Sequence, residues 1–223
     1  QLYHDKFDYS QHYIDCGYKE LTIPAGPGGS FQIEKNALHI WPRQSFMVIA
    51  LPNLDGSFTV TLFLAFDSTP GFNQLQTDKE ILDFFNDQFP DLVALMPDLV
   101  QDFKLHPTGA LGTVKCGPWN TEKSLLMGDA AHAVVPFYGQ GMNCSMEDVL
   151  KLDLCLDEVS ENWPKAFDLY YAGRKKDADA IADLAVENYY EMRDHVDNPD
   201  FIAKRAIEMK LEKNFPEYAS KYN

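Results

Sequence analysis

The chain contains no Cys-x-x-Cys pair, no apolar run of about 18 residues and no excess of positive charge. Each absence excludes a class of protein. Cys16, Cys116, Cys144 and Cys155 stand apart without regular spacing, which argues against a disulfide framework or a cysteine-rich zinc site and predicts reduced thiols. With no bilayer-length segment and no signal-like amino terminus, the expectation is a soluble, cytoplasmic protein. The 19 Lys and Arg are outnumbered by 34 Asp and Glu, for a net charge of −15. Such an acidic surface disfavours nucleic acid and anionic membranes as partners. The 6 histidines are scattered, with no His-Glu-x-x-His, and no Gly-x-Ser-x-Gly elbow occurs, so neither a metal ligand set nor a catalytic residue is nominated. The glycine-rich stretch Ala25–Ser30 does not end in Gly-Lys-Ser/Thr, so it receives no nucleotide role. Beginning at Gln1-Leu2-Tyr3-His4 and stopping at Asn223, the chain reads as a piece of something longer.

What is present divides by periodicity. Residues 10–66 read mainly as strand. Phe46–Leu51 and Phe58–Phe63 are rich in β-branched and aromatic residues and flank Pro52–Ser57, whose Asp55-Gly56 predicts a hairpin turn. Alternation places Met47, Ile49 and Leu51 on one face of the first strand, and Thr59, Thr61 and Phe63 on one face of the second. Thr77 with Glu80 three residues on predicts a capping box and a helix to about Phe89, stopped by Pro90. A further strand is expected near residues 109–116. From Ser145 the pattern turns helical, and the spacing of Val149, Leu152, Leu156 and Val159 predicts one buried face. Pro164 suits the start of the next helix, helical register continues over 176–195, and a last helix is expected at 200–213. The expected organisation is a β-rich region over 1–112, a strand-loop-helix unit over 113–160 and a helical region over 161–223.

The strand-loop-helix unit holds the most chemistry. An apolar run, Leu125-Leu126-Met127, ends in Gly128-Asp129. A loop with Pro136, Gly139 and Gly141 follows, and then an amphipathic helix. Glycines let backbone approach a ligand closely, and the unpaired N–H groups that open a helix favour negative charge. A lone Gly-Asp usually marks only a turn. The intact order over some twenty residues favours a binding loop instead. Gly139-Gln140-Gly141-Met142-Asn143-Cys144 lacks the third glycine of a dinucleotide fingerprint and is not read as one. His132 reads as a structural residue rather than a general base.

This segment resembles the Gly-Asp motif of the flavin-dependent aromatic hydroxylases. Further strings resemble the kynurenine 3-monooxygenase family among them: Phe7–Gln11, Leu38–Arg43, Ile49–Asn53, Val100–Phe103 and Asn188–Arg193. The resemblance implies an incomplete p-hydroxybenzoate hydroxylase-like fold of mixed α+β and α/β class. In it a β-sheet substrate domain is joined to the returning strand-loop-helix of a Rossmann-like FAD domain and to C-terminal helices. It implies FAD as cofactor, NADPH and O₂ as co-substrates, and hydroxylation of L-kynurenine to 3-hydroxy-L-kynurenine in tryptophan catabolism toward NAD. The aniline nitrogen already activates that ring, which agrees with the lack of a nominated base.

Carried over by position, Gly128, Asp129, Pro136, Gly139, Gln140, Gly141, Met142 and Asn143 would contact the flavin, with Asp129 on the ribityl chain. Leu38, Met47, Ile49, Leu51 and Phe63 would wall the substrate ring, although a buried sheet face would show the same alternation. Pro136, Phe137 and Gln140 would line the meeting of flavin and substrate, with Asn188, Met192 and Tyr222 completing the substrate site. The family's amino-terminal GxGxxG unit, its Arg/Tyr pair for the substrate carboxylate and the eukaryotic membrane tail are not in this sequence. The chain alone is therefore expected to bind FAD poorly and not to turn over. Two alternatives stay open: a hydroxylase of another aromatic ring, and a non-catalytic ligand-binding domain that kept the fold.

Overall fold

A computed structural model describes residues 7–195, 199–218 and 220. The chain forms two compact units. One comprises the described residues up to Cys16 together with Gly109–Tyr189; the other comprises Gly17–Thr108 together with the described residues from Tyr190 onward.

The second unit is built on antiparallel strands β2 (His39–Pro42), β3 (Met47–Pro52) and β4 (Phe58–Leu64), with the Gly17–Ile23 half of β1 (Asp8–Ile23) beside β4. β3 and β4 form the expected hairpin, closed where the Asn53 N–H donates to the Ser57 carbonyl at 2.8 Å. Because side chains alternate, the strands present two faces. Val48, Ala50, Phe58, Val60, Leu62, Leu64, Leu21 and Ile23 form one, buried against Ile81, Phe84, Phe85, Phe89, Leu92, Leu99 and Phe103. Those residues come from α1 (Asp78–Gln88), α2 (Pro90–Val93) and α3 (Leu99–Leu105) and the turns between them. Rings pack edge-on here, Phe84 with Phe85 at 5.3 Å and Phe85 with Phe103 at 6.4 Å. The π-helical turn Glu191–His195 packs beside β2, and α7 spans Pro199–Asn214.

The capping box is formed in full. Thr77 Oγ1 accepts from the Glu80 N–H, and Glu80 Oε2 accepts from the Thr77 N–H at 2.8 Å. Thr77→Ala is expected to destabilise the protein by about 1 kcal/mol, the usual worth of an N-cap, read as a lowered thermal midpoint with native secondary structure retained.

In the first unit, β5 (Gly109–Gly117) neighbours the early half of β1 and leads to α4 (Asp129–His132), α5 (Gly141–Glu158) and α6 (Trp163–Tyr190). Trp119 is fully buried, donates its indole N–H to the Cys116 carbonyl at 2.8 Å, and packs with Ala131, Tyr170 and Ala178. α6 buries a row at helical spacing: Ala166, Tyr170, Arg174, Ala178, Ala182, Ala185 and Tyr189.

α5 departs from the sequence expectation. Val149 is 59% exposed rather than buried, and Met142, Met146, Leu150 and Leu154 are exposed as well. Among the described residues of α5, Asp148 alone is buried. The reason is that α5 carries apolar side chains around most of its circumference. The side with Leu152 and Cys155 packs on the Trp119 cluster.

Candidate cofactor and substrate site

The Gly-Asp unit is held by a buried ionic network within the first unit. Gly128 has φ +55°, a conformation that L side chains rarely adopt, and an added Cβ would stand 3.0 Å from Ser145 Oγ. Its N–H donates to Asp148 Oδ2 at 2.9 Å. The same oxygen accepts from His132 Nε2 at 2.7 Å, and Arg174 Nε donates to Asp148 Oδ1 at 3.0 Å. Arg174 also reaches Glu147 Oε2 at 2.9 Å. Asp148, His132 and Arg174 are all nearly sealed from solvent.

Burial alone would push the Asp148 carboxyl up, but the bonds from His132, Gly128 and Arg174 outweigh it and hold it at about 2. Burial likewise opposes the charge on Arg174, and Asp148 and then Glu147 raise it above the ordinary arginine value. One carboxylate thus ties the Gly128 turn to α4, α5 and α6.

Asp129 sits in the first turn of α4, exposed, and its carboxylate has no partner among the described residues. The loop then runs through a 3₁₀ turn at Pro136–Tyr138 to Gly139, in the left-handed region at φ +61° with nothing within 4 Å of an added Cβ. Phe137 is buried, its ring tilted against that of Tyr189 with centroids 4.7 Å apart, and its carbonyl accepts from Asn188 Nδ2 at 2.7 Å. Asn188 therefore fastens the loop to α6. α5 opens without a side-chain cap, and the Cys144 N–H donates to the Gln140 carbonyl at 2.8 Å. That leaves the Gly141, Met142 and Asn143 N–H groups outside the helical ladder. Gln140 Nε2 donates to the Tyr138 carbonyl at 3.1 Å and Gln140 Oε1 accepts from Asn143 Nδ2 at 3.1 Å, so these side chains brace the turn.

A free carboxylate, a backbone left bare by glycine and uncapped helical N–H groups make up one donor and acceptor set. It fits the ribityl and isoalloxazine end of FAD: a hydroxyl chain needs an acceptor, and the pyrimidine edge of the ring needs backbone donors.

The proposed substrate residues fall in both units. In the second, cross-strand pairing sets Met47 opposite Phe63, Ile49 opposite Thr61 and Leu51 opposite Thr59. This is the face opposite the one covered by α1–α3. Met47 and Phe63 are buried, Ile49 is half-buried, and Leu51 and Leu38 are each 47% exposed. Met192, on the π-helical turn beside β2, is buried in this unit too. Pro136, Phe137, Gln140 and Asn188 belong to the first unit. Tyr222 lies outside the described residues. Among the described residues no helix is long and apolar enough to cross a membrane, and no group of three His, Cys, Asp or Glu is placed to hold a metal ion.

Sequence reasoning did not nominate Asp148 or Arg174. A signal for Arg174 existed: it interrupts the apolar row of α6 between Tyr170 and Ala178, where a cation needs a buried partner.

The chain is similar to several known proteins. Residues 105–185 match the FAD binding domain family. A protein named kynurenine 3-monooxygenase from Dictyostelium discoideum is 52% identical, the match covering 98% of this chain and 50% of the relative. One of the same name from Myxococcus xanthus is 52% identical over 97% of this chain and 47% of the relative. The chain thus spans about half the length of the curated relatives it matches. Among solved structures, 2-methyl-3-hydroxypyridine-5-carboxylic acid oxygenase aligns with a TM-score of 0.69 at 19% identity, covering 88% of this chain and 53% of that one. A tetracycline destructase aligns at 0.61 and 17% identity, covering 92% and 54%. These two show the fold, which is that of the p-hydroxybenzoate hydroxylase-like FAD-dependent oxygenases. The chain is thus homologous over most of its length to proteins named kynurenine 3-monooxygenase, and its residues 105–185 match the FAD binding domain family.

Proposed function

We propose that this chain forms the substrate sheet and the returning flavin segment of an enzyme that uses FAD, NADPH and O₂ to convert L-kynurenine to 3-hydroxy-L-kynurenine. The observation that carries this reading is 52% identity along 98% of the chain to a protein named for that reaction. Bound FAD would supply the redox chemistry and the activation of oxygen. The chain's own residues would bind, orient and exclude water. Asp129 accepts hydrogen bonds from the ribityl hydroxyls. The Met142 and Asn143 N–H groups face the electron-rich edge of the ring, where the α5 dipole favours negative charge. Pro136, Phe137 and Gln140 shape the end of the loop, with Asn188 holding the Phe137 carbonyl so that the loop keeps its form. Leu38, Met47, Ile49, Leu51 and Phe63 offer an apolar wall to the aromatic ring and keep the reacting carbon dry. The substrate's own amino group activates the ring, so no protein base is required.

The test is NADPH oxidation by the full-length protein. L-Kynurenine is expected to stimulate it strongly and to yield 3-hydroxykynurenine, whereas a simple phenol leaves it at the basal rate. Stimulation by the phenol alone would move the protein to another substrate within the same family.

A further inference from the structure

The face of the second unit that carries Leu21 and Ile23 also carries a lysine. Lys19 lies two residues along β1 from Leu21, pairs with Leu62 of β4, and is 6% exposed. Its ammonium donates to the His106 carbonyl at 2.6 Å and stands 4.8 Å from the centre of the Phe103 ring. His106 is itself held by a 2.8 Å bond between its Nδ1 and the Glu20 carbonyl. No carboxylate pairs with Lys19 among the described residues. An ammonium has three donors, so two lack a protein partner. A buried cation without a counter-charge is costly, and the cost is greatest where one wall is aromatic and apolar.

Lys19 lines a cavity of about 360 Å³, together with Phe72, Phe103, Asn73, Gln76 and Lys104. Lys104 is already paired with Asp78, and Asn73 with Asp67, so Lys19 is the cation the cavity leaves unneutralised. In a chain of net charge −15, the available protein acids have not been used here. We propose that this cavity binds a small organic monocarboxylate. Its carboxylate accepts from the two open donors of Lys19, and its apolar or aromatic body lies against Phe72 and Phe103. The class follows from the charges and shape. One buried cation neutralises one negative charge, whereas a dianion would leave excess charge in a desolvated place. The volume is that of a small-ligand pocket, and Phe72 and Phe103 stand in its wall. Burial pushes the Lys19 pKa down, a penalty that a bound carboxylate would relieve. The proposal does not depend on the flavin reading, since none of these residues belongs to the Gly-Asp unit.

Benzoate, acetate and inorganic phosphate serve as probes, titrated by calorimetry into the purified protein. Benzoate is expected to bind with a dissociation constant near the millimolar range, as a single charge-assisted contact with one ring allows, and acetate more weakly. Two variants locate the site. Lys19→Met removes the cation, and Gln76→Trp fills the exposed rim without touching Lys19. Each is expected to weaken benzoate binding at least tenfold. If Lys19→Met does not fold, Gln76→Trp decides. Absence of benzoate binding to the wild type, binding unchanged in Gln76→Trp, or phosphate bound as well as benzoate would each overturn the proposal.

Discussion

Replacing Asp129 by alanine in the full-length protein is expected to weaken FAD binding roughly ten- to a hundredfold. A hydrogen bond to a charged acceptor contributes about 1.5–3 kcal/mol, and each 1.4 kcal/mol is a factor of about ten in affinity. The prediction is sharp because Asp129 does little for the fold. It is exposed and its carboxylate has no partner among the described residues. The apoprotein's stability should therefore change by no more than about 0.5 kcal/mol, the usual range for a surface substitution. Flavin absorbance per chain after purification, read beside the thermal midpoint of the apoprotein, checks both halves. Wild-type flavin content in Asp129→Ala would sink the flavin reading of this segment and favour a non-catalytic domain that kept the fold.

Asp148→Ala should show the opposite division. Asp148 is fully buried, and its removal leaves the Arg174 guanidinium with Glu147 as its one remaining carboxylate among the described residues and the Gly128 N–H and His132 without their acceptor. Breaking a buried ion pair from one side costs about 3–5 kcal/mol, a large part of the stability of a domain this size. Asp148→Asn keeps the shape and one acceptor, so its loss is expected to be smaller. The acid limb follows from the same group. Its carboxyl titrates at about 2 in the native protein against an ordinary 3.8. The lower native value means that the folded state releases this proton more readily, so the contribution is complete above pH ~3.8 and disappears as pH falls toward ~2. Its size is about 2 kcal/mol. Urea unfolding across that window should show the loss in the wild type, with this contribution absent from Asp148→Asn. An identical acid limb in the two proteins would show that Asp148 is not the group responsible.

The two predictions separate what was legible along the chain from what was not. Local patterns carried the hairpin, because Asp55-Gly56 and alternation act over a few residues, and the pairing of Met47 with Phe63 follows from them. The Thr77–Glu80 box was equally readable, since both partners lie within one helical turn. The Gly128–Asn143 order was readable as a glycine-bared loop, an exposed acid and a helix start, because each is a local device. Periodicity failed on α5 for a physical reason. It reports how apolar residues are spaced but not which face finds a neighbour, and α5 is apolar on more than one side.

Chain order and residue type were therefore sufficient for the class of chemistry: a glycine-bared loop, an acid and a helix amino terminus in sequence. They could not show that Asp148 locks that loop, because its partners lie 16, 20 and 26 positions away on separate elements. Nor could they show that Lys19, spaced like a core residue, is a cation facing a cavity. Both depend on which side chains meet after the chain has folded. Desolvation and the need to pair buried charge act on that arrangement in space, and no local run of sequence records it.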